Sequence, residues 1–431
     1  MENILFDILN IIFSLWPLFL AFLVGRITKN MYLDGLRAKN FYAPIKWIIF
    51  EVILPEEVKK TPKAMENILH QLWSIYDPPS DLYGFWIKGD YIYHWSFELV
   101  GVGGEGVHFY IRVPAKFKEV FERVIYGEYP EAELKEVDDY TLKFGKDLPN
   151  EKYDFYASDI TLQKPEIFPL RTYSYWETEM TRIERRIDPL AGVLEMLGNL
   201  KKGEEIWVQI IMRPISDVEH PWIEEAKALI AKTLKRKEEK EESPLKKAGF
   251  HKIPGDILKI LIEGEVPKEE SPPKKEDLIE LGVMRLSPGE QEMLKQLEEN
   301  ISKYAYEVRI RFIYIARREI YSKPRGATMA FGFFVPFSST HYLNAFGPGR
   351  GRTKVGPWPF KERRYYLRQR RLWRRYITRD ISTWYEKRPY LLSTAEIATI
   401  YHFPPKEIAP TPGVARRELK RGETPPEVWK K

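Results

Sequence analysis

Two glycine clusters and one arginine run are the parts of this sequence whose residue types could do chemistry. Gly101, Gly103 and Gly106 match the G-x-G-x-x-G spacing that lets a backbone approach a dinucleotide pyrophosphate. That use requires a helix to follow and present its N-terminus, but His108, Phe109, Tyr110, Ile111 and Arg112 continue as a strand. The glycines therefore read as a hairpin turn. Phe346 to Val355 (FGPGRGRTKV) resembles a phosphate loop in composition only. Thr353 precedes Lys354, and Gly351 is followed by Arg352, so the Gly-Lys-Ser/Thr order that places a lysine on a nucleotide is absent.

Other catalytic constellations are missing as well. The 431 residues include no cysteine, which removes thiolate chemistry, disulfides and cysteine zinc sites together. The histidines, His70, His94, His108, His220, His251, His341 and His402, show no metal-ligand spacing. No G-x-S-x-G elbow occurs, and adjacent acids such as Asp138 and Asp139 carry little information in a chain with 62 carboxylates. The expectation is a protein without catalysis and without a cofactor.

The arginine run is the strongest signal. Arg350, Arg352, Lys354, Lys361, Arg363, Arg364, Arg368, Arg370, Arg371, Arg374, Arg375 and Arg379 stand against one acid, Glu362, so this segment carries +11 of a chain whose net charge is +6. Tyr365, Tyr366, Leu367, Leu372, Trp373, Tyr376 and Ile377 interleave with them at helical spacing. Guanidinium forks grip phosphates and aromatic faces stack bases, so three occupants compete: a nucleic-acid backbone, anionic lipid heads and an acidic protein.

The elements that must position this run read as α+β. The strand Ile45–Leu54 is closed by Pro55. Thr61 and Pro62 start a helix carrying Met65, Ile68, Leu69, Leu72, Trp73 and Tyr76. Strands Tyr91–Val100 and Val107–Val113, a helix Pro114–Tyr126 and a strand Ala132–Val137 complete a βαββαβ order, the ferredoxin-like arrangement, over residues 41–140. A second ferredoxin-like module is expected over 141–215 and 303–403, with strands Tyr153–Thr161, Glu204–Arg213, Tyr304–Ile315 and Tyr390–Tyr401 and helices Pro189–Leu200 and Ala327–Pro336. Residues 216–302 between its halves form a charged helical insertion, in which Ser287, Pro288 and Glu290 have the types of a helix cap. The tail, 404–431, holds Pro405, Pro410, Pro412, Pro425 and Pro426 and reads as an extended arm for docking a partner.

At the other end, Ile4 to Val24 is an apolar stretch whose one charge is Asp7, about 30 Å long as a helix, and residues 1–30 read as a single-pass membrane anchor. Arg26, Lys29, Arg37 and Lys39 follow it, which places the remainder on the cytoplasmic side of the membrane. Asp7, Asn10, Ser14, Pro17, Ala21 and Gly25 recur every three or four residues, a stripe suited to pairing with another helix or with a second copy of the chain.

Six stretches together resemble a family of membrane-anchored proteins of small-genome bacteria: Trp47 to Pro55 (WIIFEVILP), Phe97 to Pro114 (FELVGVGGEGVHFYIRVP), Ile125 to Asp138 (IYGEYPEAELKEVD), Met284 to Glu290 (MRLSPGE), Val308 to Ala316 (VRIRFIYIA) and Leu391 to Pro404 (LLSTAEIATIYHFP). Those proteins are encoded beside, or fused in front of, ATPases similar to the DNA-pumping motors of conjugation and type IV secretion. The resemblance implies a scaffold that recruits such an ATPase at the cytoplasmic face of a bacterial inner membrane. Because no phosphate loop follows Pro404, it implies a motor on a separate chain, docked by the proline-rich arm. Ser393, Thr394, Ala395, Glu396 and Ile397 stand where the family more often has Asn-Thr-Glu-Glu-Leu. The rival expectation is a membrane-tethered protein that binds nucleic acid through the arginine run during DNA uptake or export.

Overall fold

The computed structural model describes residues 15–55, 58, 60–145, 147–178, 188–241, 286–339, 341–381, 389–404 and 416–417. In chain order the elements are α1 (Trp16–Leu36), β1 (Trp47–Pro55), α2 (Pro62–Leu72), β2 (Trp95–Val102), β3 (Gly106–Pro114), α3 (Lys118–Glu128), β4 (Glu133–Val137), β5 (Tyr153–Leu162), α4 (Tyr173–Thr178), α5 (Ala191–Gly198), β6 (Glu204–Ile215), α6 (Trp222–Glu241), α7 (Pro288–Ile301), β7 (Ala305–Arg317), α8 (Lys323–Phe334), β8 (Phe346–Arg352), α9 (Lys361–Thr378), β9 (Tyr390–Ser393), α10 (Thr394–Ile400) and β10 (Arg416–Arg417).

The chain is α+β, and its strands share one sheet. Neighbours run β10–β1–β3–β2–β6–β7–β5–β8, with β4 on β1 and β9 on β7. Every pair is antiparallel except β10 with β1. The strands of the first half lie side by side as β4–β1–β3–β2, and those of the second as β6–β7–β5–β8. The halves meet along β2 and β6, from Trp95 opposite Met212 to Val102 opposite Glu205. The expected pair of separate ferredoxin-like modules is thus corrected to one continuous sheet. The cause is the composition of β6, whose twelve residues are all buried and which therefore needs a strand on each side.

The membrane anchor is also corrected. Among the described residues no helix is long and apolar enough to cross a membrane. Helix α1 takes in Arg26, Lys29 and Asp34, which interrupt its apolar run. Its C-terminal part docks on the protein: the Tyr32 hydroxyl donates to the Trp86 carbonyl at 2.8 Å, and the Arg37 guanidinium lies 3.8 Å over the Tyr91 ring. Single-pass residence in an inner membrane loses its basis with that helix. Of the expected helix-pairing stripe, Pro17, Ala21 and Gly25 lie on the exposed part of α1, whereas Asp7, Asn10 and Ser14 lie outside the described residues.

Two further corrections come from local chemistry. Tyr390–Tyr401 is not one strand, because Ser393 caps a helix there: Glu396 accepts from the Ser393 backbone N–H, and the Ser393 hydroxyl accepts from Glu396 N–H. The glycine-rich Phe346–Arg352 segment is instead the strand that pairs with β5. There a Cβ on Gly351 would stand 2.0 Å from the Asp159 carboxylate, and one on Gly349 would stand 2.8 Å from the Asp159 carbonyl. The insertion contributes α6 and α7, which pack through Ile230, Leu234, Met293 and Leu294, and the cap at Ser287 forms with Glu290. Its residues 242–285 lie outside the described residues, as do Pro405, Pro410, Pro412, Pro425 and Pro426.

One face of the sheet supports the main core, in which Phe97, Phe109, Val208, Ile310 and Phe312 meet α2, α3, α5, α8 and α10. The other face carries α9 on Trp207, Ile313, Ile315 and Phe155. The β2–β3 turn is where the G-x-G-x-x-G match sits. Gly104 and Gly106 take φ of 90° and 115°, and a Cβ on Gly103 would stand 1.9 Å from the Lys201 carbonyl oxygen. Gly103→Ala must push two backbones apart, and a urea melt should show a loss of about 1–3 kcal/mol; an unchanged midpoint would contradict the close approach.

Candidate functional site

The arginine run folds into α9 because its apolar members recur on one side. Gln369, Leu372, Trp373, Arg375 and Tyr376 are buried against the sheet. Trp373 lies 5.9 Å from Trp207, centroid to centroid, and its indole N–H donates to the Gly145 carbonyl at 3.3 Å. The Gln369 amide donates to Asp154 at 2.8 Å and to the Phe155 carbonyl at 3.2 Å. The outer side repeats Arg363, Leu367, Arg370 and Arg374 at the i, i+4, i+7, i+11 spacing of a single stripe.

Below the C-terminal end of α9 the sheet is polar. Arg379, with φ 52° and no exposed side-chain surface, donates to Glu98 at 2.6 and 3.0 Å and to Asp139 at 2.7 and 3.0 Å. Glu98 also accepts from the Tyr140 hydroxyl at 2.6 Å and from the Ser96 hydroxyl at 2.5 Å. Burial works against the Asp139 anion, but the Arg379 fork and the two Thr141 donors outweigh it and hold the carboxyl below its ordinary range. Burial likewise opposes the Arg379 cation, and Glu98, Tyr140 and Asp139 reverse that, so its pKa lies well above the usual guanidinium value.

Two arginines of β7 hold the last carbonyls of this region. Arg311 donates to the carbonyls of Arg375, at 2.8 Å, and of Asp380, while Arg309 donates to Ile381 at 2.9 Å. Cations at the negative end of the helix dipole are stabilising there. Beside them Arg112 stacks 3.7 Å over Trp47; burial, followed by the repulsion of Arg379, brings it down to about 9. His94 is buried among Arg112, Arg213 and Arg311, and desolvation, reinforced by those charges, pushes its pKa well below the ordinary value.

The twelve cations of the run therefore separate into groups. Arg375 and Arg379, expected to contact a phosphate, are buried in this network and cannot reach a surface ligand. Arg364 donates to the carbonyls of Pro359, Gly356 and Trp358 at 3.0, 2.8 and 2.8 Å, and Arg368 donates to the Lys354 carbonyl. Arg370 pairs with Asp147, and Arg352 is half-buried on β8. Arg350, Lys354, Lys361, Arg363, Arg371 and Arg374 have exposed side chains. The half-buried Lys323 of α8 lies beside them, 4.4 Å over the Tyr365 ring, and its pKa is depressed by burial and then by Lys361 and Lys354.

Lys323 was not among the sequence candidates; nothing in sequence order places α8 beside α9. The ring pair Trp358 and Phe360 was also missed, although W-P-F in front of a basic helix is a readable signal. Among the described residues no group of three or more His, Asp or Glu side chains could hold a metal ion. A cavity of about 330 Å³ lies beside the C-terminal end of α8, where Phe331, Phe334, Val335 and Phe346 share its lining with Gln163, Arg171, Ser338, Ser339 and His341.

The fold is that of an α+β protein with an arginine-rich helix laid across an antiparallel sheet. The chain belongs to the family described as Domain of unknown function (DUF8128), which it matches over residues 39–416. Comparison with curated proteins returns no match.

Arg379→Ala leaves Glu98 buried without its cation, and calorimetry or denaturant melts should show a loss of about 3–5 kcal/mol, with Arg379→Lys recovering only part because an ammonium cannot make both forks. The Asp139 pKa is lower in the folded than in the unfolded chain, so its contribution is complete above the ordinary carboxylate range and disappears as pH falls through the folded value. Asp139→Asn should therefore be less stable at neutral pH and lose less stability than the parent between about pH 4 and pH 2. Parallel acid melts of the two proteins check this, and an equal loss in both would refute it.

Proposed function

We propose that this chain is a non-catalytic nucleic-acid-binding protein that holds the phosphate backbone on the outer face of α9 and the adjoining end of β8. One observation carries the reading: Arg350, Lys354, Lys361, Arg363, Arg371 and Arg374 present exposed cations on the segment where Glu362 is the only acid. Phosphates supply the complementary charge, and guanidinium forks bind them bidentately. Lys361 and Arg363 also occupy the first turn of α9, where a cation is disfavoured by the helix dipole. A bound polyanion offsets that cost.

The resemblance to proteins that accompany DNA-pumping ATPases supports DNA as the nucleic acid, and a motor on a separate chain as the machine that this protein serves. The membrane tether of the rival expectation forms no part of this reading.

Anisotropy titrations of labelled DNA against salt test it. If all six cations engage phosphates, log K should fall with log salt at a slope of about −4 to −5. Reversal of three charges, Arg363→Glu with Arg371→Glu and Arg374→Glu, should abolish binding at physiological salt while leaving the melting temperature near that of the parent, because these side chains face solvent. Salt-insensitive retention of DNA, or full affinity in the triple variant, would refute the assignment.

A further inference from the structure

Trp358 and Phe360 are 73% and 79% exposed, more than any other aromatic ring among the described residues. They flank Pro359 in the loop between β8 and α9, with Lys354 before them and Lys361 and Arg363 after them. Trp and Phe rings are mostly buried in folded proteins. Here the backbone that carries them is held by side chains of α9. Arg364 reaches back from the first turn of α9 to three loop carbonyls, of Gly356, Trp358 and Pro359, and Arg368 holds a fourth, of Lys354. Phe360 itself sits at φ 56°, a conformation that an L residue with a bulky side chain adopts at a cost. The loop is held open with its rings outward.

Resting on the nucleic-acid reading above, we infer that Trp358 and Phe360 form a stacking platform for unpaired bases, so that the α9 face takes single-stranded rather than duplex nucleic acid. A single strand offers both groups that this surface matches: phosphates for the exposed cations and free base faces for the rings. A duplex keeps its base faces inside the stack and leaves the rings without a partner. An anionic membrane surface fits less well, because a helix lying in lipid buries an apolar side, and the apolar side of α9 (Leu372, Trp373, Tyr376) already packs on the sheet.

The test uses the full chain, a labelled oligothymidylate, a labelled duplex and phosphatidylglycerol vesicles. Trp358→Ala with Phe360→Ala should weaken oligothymidylate binding by about 5- to 150-fold for each ring lost, and leave duplex binding unchanged. Phe360→Gly separates binding from packing. Glycine tolerates the positive φ, so the melting temperature should rise while single-strand affinity falls. A fall in melting temperature would make the ring a packing element and overturn the inference. Wild-type binding of both nucleic acids, with neither changed by the ring substitutions, would overturn the platform and leave the nucleic-acid reading standing. Binding of neither nucleic acid by the wild type would overturn both. Vesicle binding that depends on the rings, without ring-dependent oligothymidylate binding, would reassign the surface to lipid.

Discussion

Arg379 sets the position of the helix that the functional reading depends on. Its guanidinium lies between the Glu98 and Asp139 carboxylates with no solvent contact, at the point where α9 ends in a left-handed residue. Glu98 belongs to β2 and Asp139 to the segment after β4, so one side chain joins the helix to the central sheet and to its edge. Burying these charges costs several kcal/mol per ion, and the cost is met only when the geometry is good. Four donor contacts between 2.6 and 3.0 Å, with Tyr140 and Ser96 filling further lone pairs of Glu98, meet that requirement.

The apolar contacts under α9 contribute more attraction but less definition. Trp373, Tyr376 and Leu372 rest on Trp207, Ile313 and Phe155 through non-directional burial, which a helix sliding or rotating by a fraction of a turn would largely preserve. The forks at Arg379 and Arg311 do not tolerate such a shift, because an N–H···O contact weakens steeply once it is misaligned. Packing thus holds the helix down, and the buried charges choose its register. That register in turn decides which arginines face water.

This division explains what was legible in the sequence. Strands and helices with a clear period, such as β2, β3, α2 and β7, follow from their residues. So does the cap at Ser287. The joining of the halves through β2 and β6 was not legible, because Glu204, Glu205, Gln209 and Arg213 interrupt the apolar residues of a strand that is buried along its whole length, and its residues do not name its neighbours. The glycines of β8 gave no strand signal, since their purpose, close approach to Asp159, exists only once β5 lies alongside. Ser393 and Glu396 carried a readable capping box inside what looked like a strand. Composition overstated the arginine run as a binding surface, because charge along a sequence cannot tell a guanidinium that pairs inward from one that faces out. For α1, Arg26 and Lys29 read as the flank of an apolar stretch, although they fall within the helix, and Asp34 adds a third charge to it.

The same arginine chemistry therefore serves two purposes along one helix. At its C-terminal end cations and carboxylates are matched and buried; along its outer side and first turns most side chains face solvent and cations outnumber acids. An arginine-rich helix on a carboxylate-rich patch would neutralise itself and hold the domain together with little external field. Here Glu98 and Asp139 lie under the C-terminal end and Asp154 under Gln369, and the outer stripe faces solvent with Glu362 and the exposed Asp147 as local acids. Glu98 and Asp139 are paired with Arg379, with Arg112 close by, so the buried anions are compensated where they stand and contribute little to the potential that a ligand meets on the far side of the helix. Segregation of the acids beneath α9 is what leaves its outer face electropositive despite the chain's nearly balanced total of 68 basic and 62 acidic residues.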